Sequence, residues 1–208
     1  MADEIVWSGG KLIHRNVTDK VNNKIEKGKL SSVHAIVVHQ TGGATAESAL
    51  QSYNQGKNGA HFLIDKDGSI YQTARIDQKC WHVGNIRSRC NEMKSCTTDD
   101  LKTINALLFK KGESYSARIR NVSLHESEKN YPDRYPTNED SLGIEIVGAF
   151  DAKSDMYENV NKKQNDSLTW LIEALDAKLS LTTDDVYTHG AIGYKQPSEG
   201  STANWKKP

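Results

Sequence analysis

The sequence has few cysteines, no surplus of charge of either sign and no long apolar run. Lysine plus arginine and aspartate plus glutamate both number 27 in 208 residues, so no overall field exists to hold nucleic acid or an anionic membrane. No stretch approaches the roughly 20 apolar residues that a membrane helix needs. We therefore expect neither nucleic-acid binding nor membrane insertion, and a partner must be recognised locally.

The three cysteines lie in one short stretch, at Cys80, Cys90 and Cys96. An odd count argues against a complete disulfide framework. Their spacing is not the CxxC pattern of a zinc knuckle, which argues against a structural metal there. Buried or free thiols are the simplest interpretation, and a single Cys90–Cys96 bridge stays open as the alternative.

The N-terminus, MADEIVWSGGKLIHRN, lacks the features of a signal peptide. It carries acidic residues where a signal peptide would carry positive charge, and no apolar stretch of useful length follows. We expect a protein that is cytoplasmic as synthesised, so that any export would need a dedicated secretion apparatus.

Hydrophobic patterning predicts a mixed α/β fold. The segment VHAIVVHQT is typical of a buried strand, AHFLIDKDGSIYQ of a hairpin turning at Asp67 and Gly68, and SLGIEIVGAF and VYTH of further strands. Thr45 can cap a helix after the first strand. A second helix is predicted from apolar residues at helical spacing: Leu168, Leu171, Ile172, Leu175 and Leu179. Interleaved strands and helices indicate a mixed central sheet covered by helices.

The domain organisation follows from where this patterning is weak. Residues 1–30 are polar and form a predicted N-terminal extension, and residues 31–208 form one domain with a long insertion at about 86–140. Within the insertion, Thr97 and Asp100 are predicted to start a capped helix. The rest of the insertion, rich in Ser, Asn, Asp, Arg and Pro, is predicted to be loop.

Two histidines follow predicted strand segments, His39 in VVHQT and His189 in VYTH. Histidine is the commonest metal ligand, and a ligand at a strand end is held by backbone pairing while it faces a cleft. A lone histidine of this kind is more often structural. The two together nominate a metal site.

Five motifs occur in a known order: VVHQT, AHFLIDKDGSIYQ, WHVG, SLGIEIVG and THG followed by a lysine. In this the chain resembles the zinc-dependent N-acetylmuramoyl-L-alanine amidases, which include phage lysozyme-type amidases, cytosolic cell-wall recycling amidases and peptidoglycan recognition proteins. The resemblance covers residues 33–200 and is interrupted by the insertion. It implies Zn²⁺ bound by His39 and His189. It also implies that Glu145 handles the attacking water and that Lys195 stabilises the tetrahedral oxyanion.

The chain departs from this family at the third zinc ligand. The resemblance implies Asp or Cys eight residues after the second histidine, where this sequence has Pro197. Proline cannot bind zinc. Glu199 is the nearest carboxylate and an acceptable zinc ligand, whereas Ser198 is closer in register but offers only a neutral hydroxyl. We predict Glu199 as the third ligand.

Three further residues in the matching motifs are predicted to bind substrate or support the site: His61, Trp81 and His82. An aromatic face such as that of Trp81 can pack on a sugar. The histidines can orient substrate or support the metal ligands, and the alternative for all three residues is ordinary packing.

The resemblance implies a zinc-dependent peptidoglycan hydrolase that cuts the amide bond between N-acetylmuramic acid and the L-alanine of the stem peptide. Its partners would be peptidoglycan or muropeptides. The long insertion favours an exported antibacterial effector, for instance of type VI secretion, which would require an immunity protein. The alternatives are a non-catalytic peptidoglycan-binding module and a cytosolic or phage cell-wall amidase. A zinc nuclease or deaminase is disfavoured, because the basic surplus and the deaminase spacing are both missing.

Overall fold

A computed structural model of the chain describes residues 4–205. The strands in this range are β1 (Val6–Ser8), β2 (Lys11–Ile13), β3 (Val17–Asp19), β4 (Glu26–Lys29), β5 (Ala35–Gly42), β6 (Phe62–Ile64), β7 (Ile70–Gln72), β8 (Gln78–Cys80), β9 (Ser141–Asp151), β10 (Met156–Tyr157) and β11 (Val186–Thr188). The α-helices are α1 (Ala46–Tyr53), α2 (Arg89–Glu92), α3 (Thr98–Leu108), α4 (Tyr115–Ser127), α5 (Lys162–Leu179) and α6 (His189–Ile192). None of the described helices combines the length and apolar character that crossing a membrane requires.

A mixed sheet forms the centre of the molecule, as the sequence predicts. Its strand order among the described residues is β11-β5-β9-β6-β7-β3, and β10 pairs with β9 outside this row. Strands β11, β5, β9 and β6 are parallel, whereas β7 turns back antiparallel to β6 in the predicted hairpin. The fold prediction, a mixed sheet with helices in one domain, is therefore confirmed.

One face of β5 packs in the hydrophobic core, and the other carries residues of the candidate site. Alternate residues of β5 point to opposite faces, and Ile36 and Val38 pack in the main hydrophobic core with Leu168 and Leu171 of α5. Helix α5 begins at an Asn161 capping box and ends beyond Leu179 at a left-handed Ser180. Of the five residues that the periodicity identified, four are buried and Leu179 is partly buried. The opposite face of β5, which carries Val37 and His39, is left for the candidate site.

The insertion contains more helix than expected. Helix α3 (Thr98–Leu108) is capped by Thr97 as predicted, but the prediction of loop over the rest is wrong, because Tyr115–Ser127 forms α4. Polar side chains attach this helix to the rest of the chain. Ser123 accepts a hydrogen bond from the Ile86 backbone amide, and Lys129, which pairs with the fully buried Glu126, also pairs with Asp100 of α3. Hydrophobic periodicity cannot detect a helix that packs in this way.

The cysteines divide between two states. Cys90 and Cys96 form a disulfide bridge near the start of the insertion, which settles the alternative that the spacing left open. Cys80 has the buried thiol of the simpler interpretation, and burial raises its pKa to about 12.

The segment before residue 31 takes part in the fold. Strand β3 pairs parallel with β7 at the end of the central sheet, and β4 pairs antiparallel with β8. Glu26 forms an ion pair with Arg75 in this region. The division of the chain at residue 30 stays a prediction.

Candidate functional site

Three side-chain donor atoms converge on the site face of the sheet. The Nδ1 atoms of His39 and His189 lie 2.9 Å apart, and Glu199 Oε1 lies 2.9 Å from His189 Nδ1 and 3.4 Å from His39 Nδ1. All three side chains are buried. The structure therefore brings together the three residues that the sequence nominates as metal ligands.

Strand pairing explains why the two histidines meet across 150 positions of sequence. Strand β11 runs parallel to β5 with Thr188 opposite Val38, so the next residue in each chain segment, His189 and His39, reaches the same level. His189 is the first residue of α6, whereas His39 lies inside β5 rather than at the end of the strand. Backbone pairing fixes both positions, because His39 is itself paired with β9 and His189 directly follows the paired Thr188.

Glu199 reaches the histidines because the loop after α6 folds back closely. A Cβ atom on Gly190 would lie 2.6 to 2.9 Å from the backbone oxygens of Gln196, Pro197 and Glu199, so only glycine permits this approach. The Gly200 amide, in turn, donates to the Gln40 side chain at 2.9 Å. The loop is thus fixed on both sides of Glu199.

Pro197 and Ser198, which precede Glu199 in the sequence, do not reach the histidine nitrogens. Pro197 is exposed. The Ser198 hydroxyl is 3.4 Å from the Tyr157 amide and 3.4 Å from the Asp155 carbonyl, and so is directed toward β10. Of the residues weighed for the third position, Glu199 is the one placed among the histidine nitrogens.

The charges and distances of this cluster fit a zinc ion. Burial, with repulsion from His189, lowers the pKa of His39 to about 4, which leaves a neutral imidazole. Burial opposes ionisation of Glu199, but hydrogen bonding from His189 and the electrostatic effect of both neighbouring histidines outweigh it and lower its pKa to about 2. Zinc binds neutral imidazole and carboxylate at about 2.0–2.2 Å, so neighbouring ligand atoms in a tetrahedron lie about 3.3 Å apart. The three donor atoms lie 2.9 to 3.4 Å apart, so only small movements would let them surround such an ion.

Glu145 and Lys195 lie beside this cluster. Glu145 of β9 is paired in register with His39 of β5, so both side chains project from the same face. Glu145 Oε2 is buried without a hydrogen-bond partner in the part of the chain that the structure describes. Burial raises the pKa of Glu145 to about 8, with Glu199 adding to the rise and Lys195 opposing it. The exposed Lys195 also lowers the pKa of His39, which places its charge near both groups.

His82 and His61 extend the cluster into the protein. His82 Nδ1 lies 3.1 Å from His39 Nε2, and burial together with the neighbouring His39 and His61 holds the pKa of His82 well below its usual value. His61 Nδ1 accepts a hydrogen bond from the Gly143 amide and its Nε2 lies 2.8 Å from the Gln78 carbonyl. Both histidines have protein partners at both ring nitrogens.

Trp81 is half exposed, with the Lys27 ammonium 5.1 Å from its ring centroid. Sequence reasoning missed Tyr157, whose pKa is raised to about 12 by burial and by the nearby Glu199 and Glu145. It also missed Asn138, whose side chain binds the backbone at His82 and Val83. Neither residue stands in a motif that could have identified it.

Comparison with solved structures finds proteins of the same fold. The chain is similar to an AmpD structure at 15% identity, covering 98% of this chain and 95% of that one with a TM-score of 0.54. It is also similar to AmpDH3 from Pseudomonas aeruginosa, solved in complex with an anhydromuramic pentapeptide. That match has 18% identity and a TM-score of 0.50, and covers 81% of this chain and 55% of the other. At these identities the likeness concerns the fold alone.

Comparison with curated protein sequences gave no match. A family model described as N-acetylmuramoyl-L-alanine amidase, however, matches residues 29–203. This range includes β5, β9, β11, the insertion and every residue of the candidate site. The chain therefore belongs to the N-acetylmuramoyl-L-alanine amidase family.

Proposed function

We propose that the protein is a zinc-dependent hydrolase that cleaves the amide bond between N-acetylmuramic acid and the L-alanine of the peptidoglycan stem peptide. The main support is the convergence of His39, His189 and Glu199 beside the buried carboxyl group of Glu145. Membership of the amidase family supports the substrate class.

Glu145 is suited to moving the proton in this reaction. A zinc ion held by the three side chains would supply a Lewis acid that polarises the scissile carbonyl and acidifies a water molecule. A carboxyl group whose pKa is raised toward neutrality can take a proton from the attacking water and return it to the leaving amine. The charge of a bound zinc ion would lower the pKa of Glu145 again, so that Glu145 is ionised when it accepts the proton.

Lys195 is suited to stabilising the negative charge that develops on the carbonyl oxygen. Its charge acts on both Glu145 and His39, so it lies near the proposed proton carrier and near the proposed metal ligands. A cation beside the developing oxyanion lowers the barrier because it interacts more strongly with the transition state than with the neutral amide.

Substrate contacts are proposed for the rim of the site. The exposed half of the Trp81 ring can pack on a sugar face, and it is adjacent in sequence to His82. The similar AmpDH3 was solved with an anhydromuramic pentapeptide, which supports a muropeptide as the ligand.

The decisive experiment is incubation of the purified protein with purified sacculi, followed by mass analysis of the products and elemental analysis of the protein. We expect about one zinc per chain and release of free stem peptides beginning with L-alanine. Zinc-free protein that binds sacculi without releasing peptides would instead support the non-catalytic binding module. Release of sugar fragments with intact stem peptides would contradict the proposed bond.

We further propose that the protein works outside the cytoplasm as an exported antibacterial effector. The Cys90–Cys96 bridge supports this, because disulfides persist mainly in oxidising compartments such as the periplasm. Directing the chain to the periplasm of a susceptible bacterium should cause lysis, and the Glu145→Gln variant should not. An immunity protein, if one is encoded beside this chain, should restore growth. Harmless periplasmic expression of active protein would contradict the effector role.

A further inference from the structure

We propose that His82 is a positioning residue for His39, because it accepts a hydrogen bond from His39 Nε2 and thereby keeps the Nδ1 lone pair of His39 directed at His189 and Glu199. This inference rests on the proposed function in one respect, since it treats His39 as a zinc ligand. It assigns to His82 a role in preparing the metal site, whereas the sequence suggested contact with substrate.

The hydrogen-bond partners of His82 fix which of its nitrogens carries the proton. His82 Nε2 lies 3.2 Å from the Ser141 carbonyl oxygen, which can only accept. It also lies 3.4 Å from the Ser141 hydroxyl, which donates its own proton to the Thr137 carbonyl at 2.6 Å. Both neighbours therefore require a proton on His82 Nε2. In a neutral imidazole the other nitrogen, Nδ1, is then an acceptor.

The tautomer of His82 determines the tautomer of His39. His82 Nδ1 lies 3.1 Å from His39 Nε2, and with an acceptor on one side the proton must come from His39. His39 Nε2 then holds the single proton of its neutral ring, and His39 Nδ1 is left with a free lone pair. This is the nitrogen that lies 2.9 Å from His189 Nδ1 and 3.4 Å from Glu199 Oε1.

Without His82, the opposite tautomer of His39 would be favoured. The Glu199 carboxylate attracts a proton onto His39 Nδ1, where the proton would block metal binding. With His82 in place, that tautomer would require His82 to donate from Nδ1 and to turn a lone pair from Nε2 toward the Ser141 carbonyl. Two acceptors would then face each other at 3.2 Å, at a cost comparable to an unsatisfied buried polar group.

Two features of the fold hold His82 in this orientation. The Asn138 side chain accepts from the amides of His82 and Val83 at 2.9 and 2.7 Å and donates to the Val83 carbonyl at 2.9 Å. Gly143 of β9 leaves room for the ring, since a Cβ atom there would lie 2.8 Å from His82 Cγ and Nδ1. The ring is thus seated against the sheet and fixed at its backbone.

The second histidine ligand lacks such support. Within residues 4–205, His189 Nε2 is buried and has no hydrogen-bond partner. Metal-binding histidines generally donate their other ring N–H to a fixed acceptor, and loss of that acceptor typically costs 10–100-fold in metal affinity. Among the residues that the structure describes, His39 is the one histidine ligand of the two with such an acceptor.

The test compares two variants of similar size, His82→Leu, which removes the acceptor, and His82→Asn, whose Oδ1 can occupy the position of Nδ1. Zinc affinity is measured on the full chain by competition with a chromophoric chelator. Thermal unfolding of the zinc-free proteins confirms that each variant folds. We expect about 10–100-fold weaker zinc binding in His82→Leu and a smaller loss in His82→Asn. Equal affinity in the wild type and in folded His82→Leu would overturn the proposal.

A second readout observes the His39 ring directly in the zinc-free protein. Nitrogen-15 NMR of labelled histidine distinguishes a proton on Nε2 from one on Nδ1. We expect the Nε2–H form in the wild type and His82→Asn, and a shift toward the Nδ1–H form in His82→Leu. If His82→Leu unfolds, the wild-type spectrum alone decides, because Nδ1–H in the wild type would contradict the proposal.

These measurements separate this inference from the proposed function. A wild-type protein that binds no zinc would refute the zinc hydrolase, while the NMR measurement would still report whether His82 sets the tautomer of His39. Zinc binding that is indifferent to His82 would refute the positioning role and leave the hydrolase intact.

Discussion

Glu145 presents a single carboxyl group whose loss should separate chemistry from metal binding. Glu145→Gln keeps the size of the side chain but cannot exchange a proton with water, so we expect the rate of stem-peptide release to fall by about 100- to 10,000-fold. Zinc content should not change, because the Glu145 carboxyl group lies outside the cluster of three donor atoms. The rate is measured by mass analysis of soluble products and the zinc by elemental analysis.

His189→Ala is the matched comparison, since it should remove both the zinc and the activity. Full activity in Glu145→Gln would refute the assignment of Glu145. Loss of zinc in Glu145→Gln would place that residue among the ligands instead.

His61 should make the zinc-free protein sensitive to mild acid. Burial lowers its pKa from 6.5 to about 4, so the unfolded chain binds a proton near pH 6.5 that the folded protein excludes until about pH 4. Its contribution to the free energy of unfolding is complete above pH 6.5 and is lost as the pH falls to 4. The loss amounts to about 3 kcal/mol.

Urea unfolding in EDTA at pH 7 and at pH 4.5 measures this loss, with His61→Asn as the comparison. Asparagine can still accept from the Gly143 amide but has no proton to gain in this range. The variant should lose less stability between the two pH values than the wild type, because it lacks the proton that His61 binds on unfolding. Parallel losses in both proteins would contradict this prediction, since groups other than His61 would then account for the whole effect.

The site could be predicted from sequence as far as residue chemistry reaches. His39 and His189 stand next to strand-forming segments, and Glu199 is the nearest carboxylate to the position that proline occupies. The contact between His39 and His82 could not be predicted, because it depends on the orientation of two rings from separate segments. The role of Asn138 was hidden for the same reason, since its partners are backbone groups 55 and 56 residues away.

At the scale of elements, the loop after α6 should depend on Gly190. In Gly190→Ala, the new methyl group would meet three backbone oxygens at 2.6 to 2.9 Å, so the loop that carries Glu199 must move away. We expect weaker zinc binding, measured by chelator competition. Gly84→Ala is the control, because its Cβ would meet only the Lys195 side chain at 3.8 Å, an ordinary contact. Unchanged zinc affinity in Gly190→Ala would contradict the placement of Glu199 by this loop.

Elements were predictable where their burial is apolar and were missed where it is polar. Strand β5 and helix α5 bury aliphatic side chains in one core, and their periodicity is visible in the sequence. Helix α4 buries Ser123 and Glu126 together with a single large aliphatic residue, Val122, so its pattern resembles that of a loop. Strand β3 has only three residues, none of them buried, and joins the sheet through backbone pairing.

At the scale of the whole molecule, the candidate metal site joins parts of the chain that are far apart in sequence. His39 lies in β5, His189 follows the neighbouring edge strand β11, and Glu199 lies near the end of the described residues. A ligand that binds all three only in the folded state must stabilise the fold as a whole. Zinc should therefore be detectable through unfolding, without any substrate.

Addition of zinc should raise the melting temperature of the EDTA-treated protein. At free zinc 100-fold above its Kd the stabilisation is about 2.7 kcal/mol, which corresponds to roughly 5–10 °C for a domain of this size. Differential scanning calorimetry measures the shift. Glu199→Ala should reduce the shift at the same zinc concentration, whereas Ser198→Ala should keep it, because the Ser198 hydroxyl is directed toward Tyr157 and Asp155. An equal shift in Glu199→Ala and Ser198→Ala would mean that Glu199 does not bind the metal, and that the third ligand must be sought outside the three donor atoms.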